Sequence, residues 1–377
     1  MNRPGGWVGL LAGWCACAAS LACAPSHGAA YDAAYAAALR AEGAGRLGEA
    51  AEAYDRAAAA AKRPRDRDLA QWSAADVLSR AGRMAEVVTR LDSMASDGSS
   101  EHQAEAAYRV ALLRIEHGDA DRGWRGLEDV VRRFPKHGVG HVAVRKLVEH
   151  ADEQGPQAAR AELDALARDL DRTELAQLVA FLSARHIEAQ GDDVAARDAY
   201  LHIADRWPYP AGAFFDDVLW YASLLDEKLG RPRPAVEDLE RLVAKRETTS
   251  IMGSYERARY VPAQLRIGEL YRDVLHDHVK AREAFHRLYA DFQHSTKRDD
   301  GLWREAALWR EDGDAKTACE RLSTLVHEFP DSRFVPCATA ACPGLERPAK
   351  SGAPRECRDY ITREKEETSP RDPPGGS

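Results

Sequence analysis

The feature that most limits how this chain can fold is a repeat of 36 to 37 residues. Glycines fall at Gly45, Gly82, Gly118, Gly155 and Gly191, at successive intervals of 37, 36, 37 and 36, continue at Gly230 and resume at Gly313, with His276 in the equivalent slot 37 residues earlier. Nine residues past the anchors stand large apolar side chains: Tyr54, Leu91, Leu127, Tyr200, Leu239, Phe285 and Leu322, with Leu163 one place early. Five past several anchors stands alanine: Ala50, Ala196, Ala235, Ala281 and Ala318. Positions four apart share one helix face, so the small residue admits a neighbouring helix and the large one fills the space beside it. Phe134-Pro135, Trp207-Pro208 and Phe329-Pro330 close three of the repeats, because proline cannot continue a helix. The period therefore predicts stacked helix pairs, and an alanine-rich chain with only 7% aromatic residues favours closely packed helices over a sheet sandwich.

A small residue, a large apolar one four later and a proline eight after that, at a period slightly above 34, resembles the tetratricopeptide repeat. The resemblance covers residues 31–337. It implies an all-α solenoid of about eight helix pairs forming a right-handed superhelix, whose first helices line a concave, protein-binding groove. Trp220-Tyr221 and Trp303 stand near the tryptophan slot of the first helix, but the Leu-Gly that usually follows is missing. The last three repeats, through Ala263-Gln264-Leu265-Arg266-Ile267-Gly268-Glu269-Leu270-Tyr271 and Pro330-Asp331-Ser332-Arg333-Phe334, resemble bacterial outer-membrane assembly lipoproteins and related periplasmic repeat proteins. That resemblance implies a protein-interaction scaffold in the bacterial envelope, binding other envelope proteins or peptides, with a role in outer-membrane protein assembly as its finer form. Trp220, Tyr221, Trp303, Arg304 and Trp309 are the partner-binding candidates on two first helices, since aromatics and arginine carry much interface energy. Aromatics at helical spacing also pack between repeats, and of these five only Arg304 resists that account. About nine residues more than the period separate Gly230 from His276, around Thr248–Tyr255, and make Tyr255 a further contact candidate.

Residues 1–22 read as a secretory signal: Arg3, the apolar run from Trp7 to Trp14, then small residues. The run is too short to span a bilayer, and no later segment is longer, so no transmembrane domain is expected. Ser20-Leu21-Ala22-Cys23 resembles a lipobox with Ser20 where leucine is usual, making Cys23 the lipidation candidate; ordinary cleavage after Ala30 is the alternative. Localisation follows as the periplasmic side of the outer membrane, or soluble in the periplasm. Residues 23–30 form a linker, 31–337 the repeat array and 338–377 a cysteine-containing, largely disordered tail rich in proline, glycine and charge. Cys319, Cys337, Cys342 and Cys357 form an even set in an oxidising compartment, so two disulfides with three possible connectivities are expected; a metal site lacks any C-x-x-C pair to support it.

The formal charge of −8 gives no general attraction for phosphate backbones, so nucleic acid is not expected as a partner. No phosphate-cradling glycine loop, nucleophile elbow or H-E-x-x-H appears. No enzyme activity, cofactor or metal is expected; His276-Asp277-His278 reads as a solvated turn, and the pairs Asp216-Asp217 and Asp299-Asp300 as helix caps. An accessory, non-catalytic subunit of a peptidoglycan or other envelope enzyme, and a small-ligand sensor, are the competing readings.

Overall fold

A computed structural model describes residues 27–244 and 258–362. The signal segment, Cys23, Tyr255 and residues 363–377 lie outside the described residues. The described chain is helical and contains no strand. It divides into two compact units, one ending at Ala176 and the other beginning at Gln177.

The first unit contains α1 (Ala29–Gly43), α2 (Leu47–Ala60), α3 (Pro64–Arg80), α4 (Met84–Ser96), α5 (Gln103–Glu116), α6 (Ala120–Arg133), α7 (Gly138–Glu153) and α8 (Pro156–Leu170), each packed on the next. The second contains α9 (Ala176–Ala189, which starts at the boundary), α10 (Asp193–Arg206), α11 (Phe215–Lys228), α12 (Pro232–Val243), α13 (Tyr260–Glu269), α14 (His278–Ala290), α15 (Arg298–Glu311), α16 (Ala315–Glu328), α17 (Val335–Ala341) and α18 (Asp359–Thr362). The first sixteen helices make eight pairs, and the eight anchor positions sit in the turns within them.

Each anchor glycine has positive φ, between 70° and 114°, the left-handed region that a residue without Cβ enters freely. In five turns the amide after the glycine donates to the carbonyl five residues back: Arg46 to Ala41, Arg83 to Leu78, Asp119 to Arg114, Arg231 to Asp226 and Asp314 to Trp309. This Schellman closure satisfies the orphan carbonyls of the first helix and reverses the chain into the second. Asp192, Asp277 and Asp314 then cap three of the second helices, accepting from the amides of Ala195, Lys280 and Thr317 at 2.9–3.1 Å.

His276 holds the anchor slot without being glycine, with φ at 51°. Just before it the chain forms a π-helical turn, Leu270–Val274, with Leu275 N–H donating to Leu270 O. Asp277 then donates six residues back, to Tyr271 O at 2.8 Å, rather than five. The π-turn absorbs one extra residue of this longest interval.

The large apolar slots are all buried, and the five alanine slots are sealed from solvent. In the remaining repeats Val87 fills the small slot, Ala159 does so one place early, and Gly123 does so where a Cβ would come within 2.6 Å of Ile115 and 2.7 Å of the Ala111 carbonyl. Helix α6 can thus approach α5 only at glycine. Phe134, Trp207 and Phe329 terminate α6, α10 and α16 before their prolines.

Past α16, the four cysteines join Cys319 to Cys342 and Cys337 to Cys357, choosing one of the three connectivities. The tied segment folds back on the last pair: Gly352 N–H and Ser351 Oγ–H donate to the Asp331 carboxylate and the Pro330 carbonyl, while Cys342 and Ala353 join the core of Leu302, Leu322 and Phe334.

Candidate protein-binding face

Of the first helices of the second unit, α9, α11, α13 and α15, α11 carries Trp220 and Tyr221, and α15 carries Trp303, Arg304 and Trp309. Tyr221 of α11 is half-buried and lies between two guanidinium groups. The Arg185 Cζ sits 4.7 Å from its ring centroid and that of Arg259 5.3 Å, and Arg259 also donates to the phenol oxygen at 3.1 Å. Tyr200 stacks beside it, with centroids 5.5 Å apart. Each cation has a carboxylate: Arg185 donates to Glu188 at 2.9 Å, and Arg259 to Asp217 at 3.1 Å. Tyr200 donates to the same Glu188 oxygen at 2.6 Å, and burial together with that bond raises its phenol well above the usual tyrosine range. The same pair recurs at the start of the chain, where Tyr54 donates to Glu42 at 2.7 Å.

A second line of charge crosses three first helices. Arg266 of α13 donates to Glu227 of α11 and, at 3.2 Å, to Glu269; Arg304 of α15 lies 3.1 Å from the other Glu269 oxygen. Glu227 holds the Arg266 guanidinium above even its ordinary value, so this guanidinium stays charged at every accessible pH. Arg304 also overlies the Phe285 ring at 5.7 Å, which explains how a charged side chain sits at this depth.

The other candidates are placed differently. Trp220 is buried in the core of the second unit, with its indole Nε1 lacking a hydrogen-bond partner. Trp303 stacks on Phe334 at 5.3 Å. Trp309 lies beneath Arg282, whose Cζ is 4.0 Å from its ring, and donates to the buried Glu305 at 3.4 Å.

Trp303 belongs to a series that the turns organise. Ten residues before the anchors stand Tyr35, Trp72, Tyr108, Phe181, Trp220 and Trp303. Three of these stack on the ring at the N-cap of the next first helix: Trp72 on His102, Phe181 on Phe214 and Trp303 on Phe334, at 4.6–5.3 Å. They join repeats, and counting backward from the glycines would have found them. First-turn acids do similar work. Asp217 receives Arg259, Asp299 receives the Ser332 hydroxyl at 2.6 Å, and Asp300 receives Arg333 at 2.8 Å. Asp217, Asp299 and Asp300 therefore reach the following repeat from the first turns of their helices, where Asp299 also accepts from the Asp300 amide at 3.0 Å.

Among the described residues no group of three or more His, Cys, Asp or Glu side chains could hold a metal ion. His278 is instead bonded to Asp312 at 2.7 Å. No described helix is long and apolar enough to cross a membrane.

Residues 300–332, which span α15 and α16, match the tetratricopeptide-repeat family model. The other pairs bury a large apolar side chain in the corresponding slot, so the described helices resemble stacked tetratricopeptide repeats, an all-α fold. No curated protein sequence matches the chain. Similar solved structures include pilF of Pseudomonas aeruginosa (18% identity, covering 61% of this chain and 93% of that one, TM-score 0.35). A tetratricopeptide repeat protein from Parabacteroides merdae is similar at 13% identity (74% and 99%, TM-score 0.30). PilW, described as a widely conserved type IV pilus biogenesis factor, is similar at 14% identity (62% and 96%, TM-score 0.33).

Proposed function

We propose that this protein is a non-catalytic scaffold of a bacterial envelope that holds another protein or peptide against the first-helix face of its second unit. The observation that carries the reading is Tyr221 set between Arg185 and Arg259, continued by the charge ladder from Glu227 to Arg304. Aromatic and arginine side chains fixed by neighbours lose little entropy on binding, which makes them effective anchors. Each guanidinium is already matched by a carboxylate, so the face suits a partner that offers both charges and an apolar side chain.

The signal segment supports export, with Cys23 lipidated and the chain held at the periplasmic side of the outer membrane, or cleaved after Ala30 and soluble in the periplasm. Two cystines fit an oxidising compartment. Outer-membrane protein assembly is the role this reading favours.

The test is crosslinking of the tagged chain in intact cells, comparing wild type with a Tyr221→Ala/Arg304→Ala double variant of unchanged circular dichroism. Capture of β-barrel or assembly proteins, reduced roughly fivefold or more in the variant, is expected. Equal capture by both would remove this face. A peptidoglycan enzyme as the captured chain would make the protein an accessory subunit, and no capture would favour a small-ligand sensor.

A further inference from the structure

Inside the second unit, two carboxyl groups lie where water does not reach. Asp226, on α11, is 0% exposed and Asp238, on α12, 8%. Arg197 of α10 donates from Nε to Asp226 Oδ2 at 3.0 Å, and its Nη1 is turned to Asp198 at 3.1 Å. The other Asp226 oxygen, Oδ1, has no hydrogen-bond partner, with Arg231 the nearest cation at 4.0 Å. Asp238 Oδ2 is likewise buried without a partner.

Among the described residues no cation is bonded to Asp238. Arg197 is the one cation bonded inside the cluster, and it faces both carboxylates electrostatically. On α12 itself, Arg241 is committed to Asp205 at 2.6 Å, and Glu237 adds negative charge. On α13, Arg266 and Glu269 are taken up by Glu227 and Arg304. A buried carboxylate oxygen with neither a donor nor a bonded cation is relieved by a proton, which removes the charge and turns the acceptor into a donor.

We propose that Asp238 holds a proton in the native protein, and that losing it loosens the packing of α10, α11 and α12. Burial, first, and the charge of Asp226, second, push the Asp238 carboxyl up to about 7. Folding then takes up a proton between an ordinary aspartate's ~4 and that value. The stabilisation is complete at acid pH, declines as pH rises through this window and is gone above it. Since α11 also carries Tyr221, the proposed binding face sits on the helix whose packing titrates, although the proposal does not depend on that face.

The experiment is hydrogen exchange on the full chain, read on peptides of α10 to α12 and corrected for the intrinsic pH dependence of exchange. In wild type, protection of these helices falls roughly tenfold between pH ~6 and ~8, and in Asp238→Asn it stays level. An equal fall in both proteins, or none in wild type, overturns the proposal. Because the variant could fail to fold, wild type carrying isotope-labelled aspartate gives an independent reading by infrared spectroscopy. A protonated aspartate band at pH ~6 that disappears by pH ~8.5 is expected; its absence at pH ~6 overturns the proposal even without the variant.

Discussion

The first helix pair and the last meet the end of an array in different ways. At the start, α1 and α2 close on alanine, with Ala38, Ala50, Ala53 and Ala57 sealed or nearly so, Tyr31 stacked on Tyr35 and Tyr35 meeting Tyr54 edge to face. His27 is bonded to Asp66 at 3.0 Å, so among the described residues side-chain contacts fasten the start of the array. At the other end α17 has seven residues, too few to hold a helix by its own hydrogen bonds, and two cystines fasten it and the segment behind it. Small side chains let helices approach closely enough to need no covalent help, whereas a short helix followed by irregular chain does need it.

The largest effect should come from removing the covalent end. Replacing all four cysteines by serine costs about 3 kcal/mol for each closed loop, whose sequence separations are 23 and 20 residues. Proteolysis should then cut within 335–362 while α1 to α3 keep their protection; equal loss at both ends would dissolve the contrast. Next, Tyr54→Ala empties a buried slot at the non-covalent end, costing about 3–5 kcal/mol, while Tyr54→Phe, which loses only the bond to Glu42, costs about 1 kcal/mol. Chemical denaturation should show both losses in the first unit. The smallest effect is a gain. His276→Gly relieves a left-handed backbone and should stabilise the second unit by about 1 kcal/mol, less whatever glycine adds to the entropy of the unfolded chain. A loss on thermal denaturation would mean the histidine itself is needed there.

Much of this was legible in the sequence because a repeat states each rule several times. Seven glycines at closely similar or doubled intervals mark seven left-handed turns, and the position about four residues beyond each small slot marks a large buried side chain. What a single repeat alone carried was harder to see. Gly123 in the small slot looks like any helical glycine until the Ala111 carbonyl is found against it, and the extra residue taken up by the π-turn has no signature beyond a long interval. The candidate face was legible in part. The sequence offers Tyr221 and Arg304 as candidates and both lie on this face, but Trp220 lies in the core and Trp303 in a joint, and Arg185 and Arg259 carry no signal because arginine on a helix is usually just solvated. The cysteines were evident as a set, but their pairing depends on how the tail folds back, which spacing does not encode.

The π-turn before His276 has one more consequence. An insertion of one residue in an ordinary helix rotates everything after it by about 100° and would turn the face of α14 away from its neighbours. Here the wide turn takes up the added length locally, and Ala281 and Phe285 arrive in the same slots as their counterparts elsewhere. The repeat can change in length by a single residue without losing its register, so the array has a means of drifting in sequence while its stacking stays in step.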